Sequence, residues 1–177
     1  DAAAPIHAGI RLALAGLAWM VAANHGDVSV LGYDEAETYG RLLLRTGDAG
    51  AVGVMATDDA AATTRYLQLV RGEGKDRTIL HGSYLGRPWY DRFVRERYGV
   101  RVPDLEAARA ALPGVAWEII VATAFANENA GPGRPVFTEQ RPDPARLRPD
   151  LALVPAGLLW KVAAKAEAAI DLRNWEF

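Results

Sequence analysis

The chain has 177 residues, half of them hydrophobic and 24% charged, with a formal net charge of −2 and no cysteine. That length suits one ordinary domain with a real core, and the composition excludes a disordered chain. The small negative charge argues against a nucleic-acid partner. The missing cysteines exclude disulfides, thiolate metal sites and a cysteine nucleophile. They do not fix the compartment, for which a cytoplasmic setting is slightly favoured. Asp1 stands where an initiating methionine is expected, as in a chain that has lost a tag or presequence.

Residues 6 to 23 follow helix period, with Ile6, Ile10, Leu14, Leu17 and Val21 on one stripe. The uncharged run from Leu12 to Ala23 is too short for a membrane span, which needs about 20 residues. An apolar helix of this kind is expected to be covered, in the centre of the domain or in an oligomer interface. After the turn Asn24-His25-Gly26-Asp27, the run Asp27–Gly32 is β-like. Asp34 with Glu37 opens a helix with Ala36, Tyr39 and Leu43 on its inner face.

The pattern then repeats. Ala51–Ala56 reads as a strand, and Thr57-Asp58-Asp59 as a helix start with acceptors for free amides. That helix runs through Tyr66, Leu69 and Val70 to Gly72 or Gly74. Arg77–His81 is again strand-like, Gly82–Arg87 a loop, and Pro88 begins a helix to Tyr98 that Gly99 ends. Asp104–Leu112 is a further short helix.

Ala116–Phe125 is compatible with a buried strand, from its Ile-Ile-Val centre, or with a helix. Residues 131 to 150 hold five of the ten prolines and read as an extended arm. A last helix is expected from about Pro155, with Leu158, Leu159, Val162, Ala166 and Ala169 on its face. Trp175 and Phe177 suggest that the terminus is packed.

The alternation implies an α/β fold: a short, mostly parallel sheet with flanking helices and a Pro-rich arm before a C-terminal helix. A mainly α domain is the alternative. Residues 1–130 form the expected core, and residues 131–177 an arm and helix packing on that core or on a neighbouring subunit.

In open α/β sheets, ligands bind outside the carboxyl ends of the strands. The residues expected there are Tyr33 and Asp34, Thr57 to Asp59, His81, Ser83 and Tyr84, then Asn127 and Glu128. Histidine as a residue type can move protons at physiological pH, which makes His81 the natural proton carrier, with Asp58 or Glu128 to orient it. Asp59, Ser83, Tyr84, Arg87 and Asn127 are expected to bind substrate. A hydrolase or transferase acting on a small polar or phosphorylated molecule follows. No cofactor is implied, since Walker A and G-x-G-x-x-G sequences are missing, and no G-x-S-x-G nucleophile elbow is present. No metal is expected, because His7, His25 and His81 are far apart.

Charge is segregated along the chain. Residues 27 to 59 carry seven acids against Arg41 and Arg45, while residues 65 to 101 carry nine bases against four acids. The basic helix 88–98, with Trp89, Tyr90 and Tyr98, therefore supports a different expectation. In that reading the chain is an assembly or adaptor protein, a homo-oligomer or a partner of another protein. Its contacts run through this helix and the arm 131–150.

Overall fold

The computed structural model describes residues 13–23 and 34–168. The chain divides into two units, Asp1–Asp34 and Glu35–Phe177. In the first, residues 13–23 form helix α1. Its helical state follows the sequence pattern, but its burial does not. Within this unit Leu14, Leu17, Trp19 and Val21 are all exposed. Ile6, Ile10, the strand-like run Asp27–Gly32, Tyr33, Ala169, Trp175 and Phe177 lie outside the described residues. Among the described residues, no helix is long and apolar enough to cross a membrane.

The second unit is an α/β domain built on a five-stranded mixed sheet. Its elements run α2 (Glu35–Thr46), β1 (Val52–Met55), α3 (Asp58–Tyr66), β2 (Thr78–His81), α4 (Pro88–Tyr98), α5 (Leu105–Ala110), α6 (Trp117–Asn129), β3 (Val136–Thr138), β4 (Leu151–Ala156) and β5 (Leu159–Ala164). The strand order is β2-β1-β3-β5-β4. β1 pairs in parallel with β2 and β3, while β5 pairs antiparallel with β3 and β4.

Strand alternation sorts the core into two layers. Val52 and Val54 of β1 pack with Tyr90 and Val94 of α4 and with Val121 and Phe125 of α6. Ala51 and Met55, on the other face, pack with Leu43 and Leu44 of α2 and with Ala60 and Ala61 of α3. The chain thus leaves β1 over one face through α3, reaches β2, and returns over the other face through α4–α6 to β3. β1 sits at the point where the winding reverses.

Local chemistry accounts for the element ends. Thr57 caps α3 by accepting from the Ala60 amide. Pro88 opens α4, and Gly99, at φ 62°, closes it. α3 continues into a π-helical turn, Leu67–Arg71, whose buried Gln68 donates to the carbonyls of Gly74 and Arg77 and so ties the turn to the start of β2.

One open reading is decided and one expectation changes. Residues 117–125, compatible with strand or helix by sequence, lie within the helix α6, which is buried on most sides: Ile120, Val121, Phe125 and Ala126 are all in the core. Its near-complete burial is what made strand and helix indistinguishable by pattern. From Pro155 to Ala164 the chain is strand and turn, where a helix was expected. β4 and β5 form a hairpin with a two-residue loop, Gly157-Leu158. The helix-like spacing of Leu158, Leu159 and Val162 is outweighed by a non-local demand. β3 carries Val136 and Phe137, both fully buried, and without β5 it would be an open apolar edge. Pro155 is tolerated because β4 is an edge strand. The arm is likewise part of the sheet, since it contains β3.

Candidate functional site

The parallel strands β1 and β2 end side by side, with Met55 in register with His81. β1 therefore delivers the N-terminus of α3, and Asp58 with it, next to the end of β2. Asp58 Oδ1 lies 2.9 Å from His81 Nε2. A carboxylate accepts only, so this bond puts the ring proton on Nε2. His81 Nδ1 is buried without a hydrogen-bond partner among the described residues. The imidazole stacks on Tyr84 at 4.3 Å between ring centres. Its backbone amide donates to the Tyr90 hydroxyl at 2.9 Å. Gly82 permits the turn that follows: a Cβ there would stand 3.0 Å from the Met55 carbonyl oxygen and 3.3 Å from Val54 Cγ1.

Beside this pair opens a pocket of about 300 Å³ along the outer edge of β2, at the small end of the ~300–1,000 Å³ usual for small-molecule sites. Ile79, Leu80 and His81 form its floor. Ala61, Ala62 and Arg65 of α3 make one wall, and Tyr90, Phe93 and Tyr98 of α4 the other. Both helices return antiparallel to β2, so the two ends of the pocket differ. Asp58, His81 and Tyr84 stand at one end. At the other, the Arg65 guanidinium donates to the Tyr98 hydroxyl at 3.3 Å and has no carboxylate partner among the described residues. Burial pushes the Tyr90 hydroxyl above its ordinary pKa, so it stays protonated and polar against an aromatic wall.

The crevice between β1 and β3, where the winding reverses, is already filled by the protein's own carboxylate. Glu139, just after β3, accepts from the Ala56 amide at 2.7 Å, the Thr57 amide at 2.9 Å and the Thr57 hydroxyl at 2.7 Å. These are the donors that an external anion would use at the head of α3. Burial, then the charges of Glu139 and Asp59, raise the pKa of the nearby Tyr39. The open pocket is thus displaced from the crevice to the β2 edge.

The other residues expected at the edge divide. Asp59 is the second residue of α3 and exposed, on the side of Tyr39. The Ser83 hydroxyl faces the Ala56 carbonyl at 3.4 Å. Arg87 lines a separate shallow cavity with Arg109 and Trp117. Asn127 and Glu128 are not with His81. Because α6 is a helix, its first residues Trp117 and Glu118 lie near Ser83 and Gly82, and Glu128 is ten residues on, about 15 Å along the axis. There Asn127 bonds the backbone of Arg146 and Arg148. Placing Asn127 and Glu128 at the strand ends required the strand reading of 116–125.

Sequence reasoning passed over Arg65 and Glu139 as site residues. Arg65 stands seven residues after Asp58, two turns along α3, which was a usable signal once His81 and Asp58 were paired. Glu139 had none, since it lies in the proline-rich segment and acts across 82 residues on Thr57. Among the described residues no three His, Asp or Glu side chains converge as a metal site requires.

The fold and site together define a three-layer α/β domain with a polar-ended aromatic pocket on its edge strand. No protein-family model, curated protein or solved structure matches the chain.

Proposed function

We propose that the domain binds a small anionic molecule in the β2-edge pocket and moves a proton at His81 Nε2, in a reaction of hydrolase or transferase type. The observation that carries this is the His81–Asp58 pair at 2.9 Å, at one end of a pocket whose other end holds Arg65 without a carboxylate partner among the described residues. Nδ1 is buried, so Nε2 is the nitrogen that exchanges with a ligand. The Asp58 side chain is 90% exposed and, among the described residues, held by this one contact, which leaves it free to yield its place. Asp58 orients the imidazole until the ligand takes over Nε2. Arg65 takes the ligand's carboxylate or phosphate, and Tyr90 and Phe93 cover its apolar part.

The test uses 3-phenylpropionate and phenyl phosphate as probes, followed by imidazole NMR signals and by calorimetry. Binding is expected to shift the His81 resonances and to weaken in Arg65→Gln. General acid–base catalysis contributes about 10²–10⁴-fold, so turnover of p-nitrophenyl esters or phosphates should fall by that factor in His81→Asn. Turnover unchanged in His81→Asn, or neither probe reaching His81, would sink the proposal.

A second reading has its own observation. Trp89 is 60% exposed and Phe93 43% exposed on one face of the basic helix α4, which favours a protein-contact role in an assembly or adaptor. Its test is whether the chain sediments as a defined oligomer, or with a partner, that Trp89→Ser disrupts.

A further inference from the structure

The floor of the β2-edge pocket carries an unused pair of backbone groups. In a parallel ladder the amide and carbonyl of one residue point to the same side, and sides alternate along the strand. The Thr78 amide donates to the Ala51 carbonyl across the β1 pairing. Thr78 and Leu80 therefore face β1, while Ile79 and His81 face outward. The bond from the His81 amide to the Tyr90 hydroxyl confirms that direction. Ile79 has no such partner among the described residues. Its amide and carbonyl point outward from a residue only 6% exposed that lines the pocket. Buried backbone groups of this kind are almost always paired, with protein, water or ligand.

Ile79 also sits at the Arg65 end. α3 and α4 both run back against β2, which sets Arg65 and Tyr98 beside the start of the strand and Asp58 and Tyr90 beside its end. One end of the pocket thus offers a guanidinium free of carboxylates among the described residues, at the same end as an amide donor and a carbonyl acceptor of the strand edge. The aromatic wall of Tyr90 and Phe93 faces the small side chains of Ala61 and Ala62. A carboxylate joined through one carbon to an amide, with an apolar side chain on that carbon, satisfies all three.

We propose that the ligand class is an N-acylated α-amino acid, free or as the last residue of a peptide. Arg65 and the Ile79 amide hold the carboxylate, the Ile79 carbonyl accepts from the ligand's amide N–H, and the side chain lies between Tyr90 and Ala61. The proposal rests on the anionic-pocket reading above and narrows it to one chemistry.

The experiment titrates the full chain with four probes and reads affinity by calorimetry. N-acetyl-L-phenylalanine is expected to bind about 10- to 100-fold more tightly than N-acetyl-L-phenylalaninamide, which lacks the charge, and more tightly than 3-phenylpropionate, which lacks the amide. A tetrapeptide ending in phenylalanine that binds as well as the acetyl derivative assigns the source to peptide ends. One that does not assigns it to free acylamino acids. Arg65→Gln, checked for an unchanged thermal transition, should level the carboxylate with its amide. If 3-phenylpropionate binds as tightly as N-acetyl-L-phenylalanine, the inference is overturned while the anionic pocket stands. If the phenylalaninamide equals the carboxylate, or none of the four binds at millimolar concentration, the inference also falls. Either of these removes the anionic pocket with it.

Discussion

Glu139 shows how one side chain can decide where a ligand goes. Its carboxylate takes two amides and a hydroxyl at the head of α3, closing the crevice where strand winding reverses. Removing it leaves those donors without an acceptor at a half-buried position. Hydrogen bonds to a charged group are each worth about 1.5–3 kcal/mol, with partial solvent access reducing that figure. Glu139→Ala is therefore expected to lower unfolding free energy by about 2 kcal/mol, measured by urea denaturation. Glu139→Gln should cost less, because the amide oxygen still accepts. The same truncation vacates an anion site at the head of α3, so inorganic phosphate should protect Glu139→Ala more than the parent chain. His81 and Asp58 were legible at this scale because each lies at an element end with a clear local signal. Glu139 was not, because its partners lie 82 and 83 residues away.

At the scale of elements, the segregated charges of the sequence find one internal use. Glu37 of α2 reaches Arg41 on its own helix and Arg71 at the end of the π-helical turn, both at 2.7 Å, and Arg41 reaches Glu73. This pins α2 to the continuation of α3. Close packing does the rest: a Cβ on Gly40 would come within 2.8 Å of Leu67 Cδ1. Hydrogen bonding to Arg71, with Arg41 adding to it, holds the Glu37 carboxyl below its ordinary value of 4.5. A carboxyl with a depressed folded-state pKa contributes stability above its unfolded value and loses it as pH falls through the folded one. The thermal midpoint should thus drop on acidification below about pH 4.5, more steeply in the parent chain than in Glu37→Gln. The contribution is screened, so the difference between the two should shrink at high salt. Equal slopes at low salt would show that the network does not stabilise the fold.

For the whole molecule, the apolar surface left outside both cores is the open account. Leu69 and Val70 are exposed, as are Trp89 and Phe93. Apolar groups scattered singly need no explanation, whereas a contiguous patch marks a contact surface. Under the assembly reading, sedimentation velocity should give a species larger than one chain, and Trp89→Ser with Phe93→Ser should return it to a single chain. A monomer at all concentrations would leave only a hetero-partner for this face. Such variants should leave the thermal midpoint nearly unchanged, because exposed side chains contribute little to folding.

What the sequence determined by itself is the local grammar. Thr57 capping α3, Pro88 and Gly99 bounding α4, and the β-branched runs before Ala56 and His81 follow from interactions within a few residues. They sufficed to set Asp58 beside His81. Tertiary structure alone decided three matters. It made 117–129 a helix, because burial on nearly all sides erases the periodicity that separates helix from strand. It turned 151–164 into a hairpin, because β3 needed a partner that local spacing does not reveal. It also shaped the pocket, whose floor, walls and ends come from β2, α3 and α4. Contacts of long sequence separation form only when the whole sheet closes, so neither the exclusion by Glu139 nor the free edge at Ile79 has a signature in any short stretch of residues.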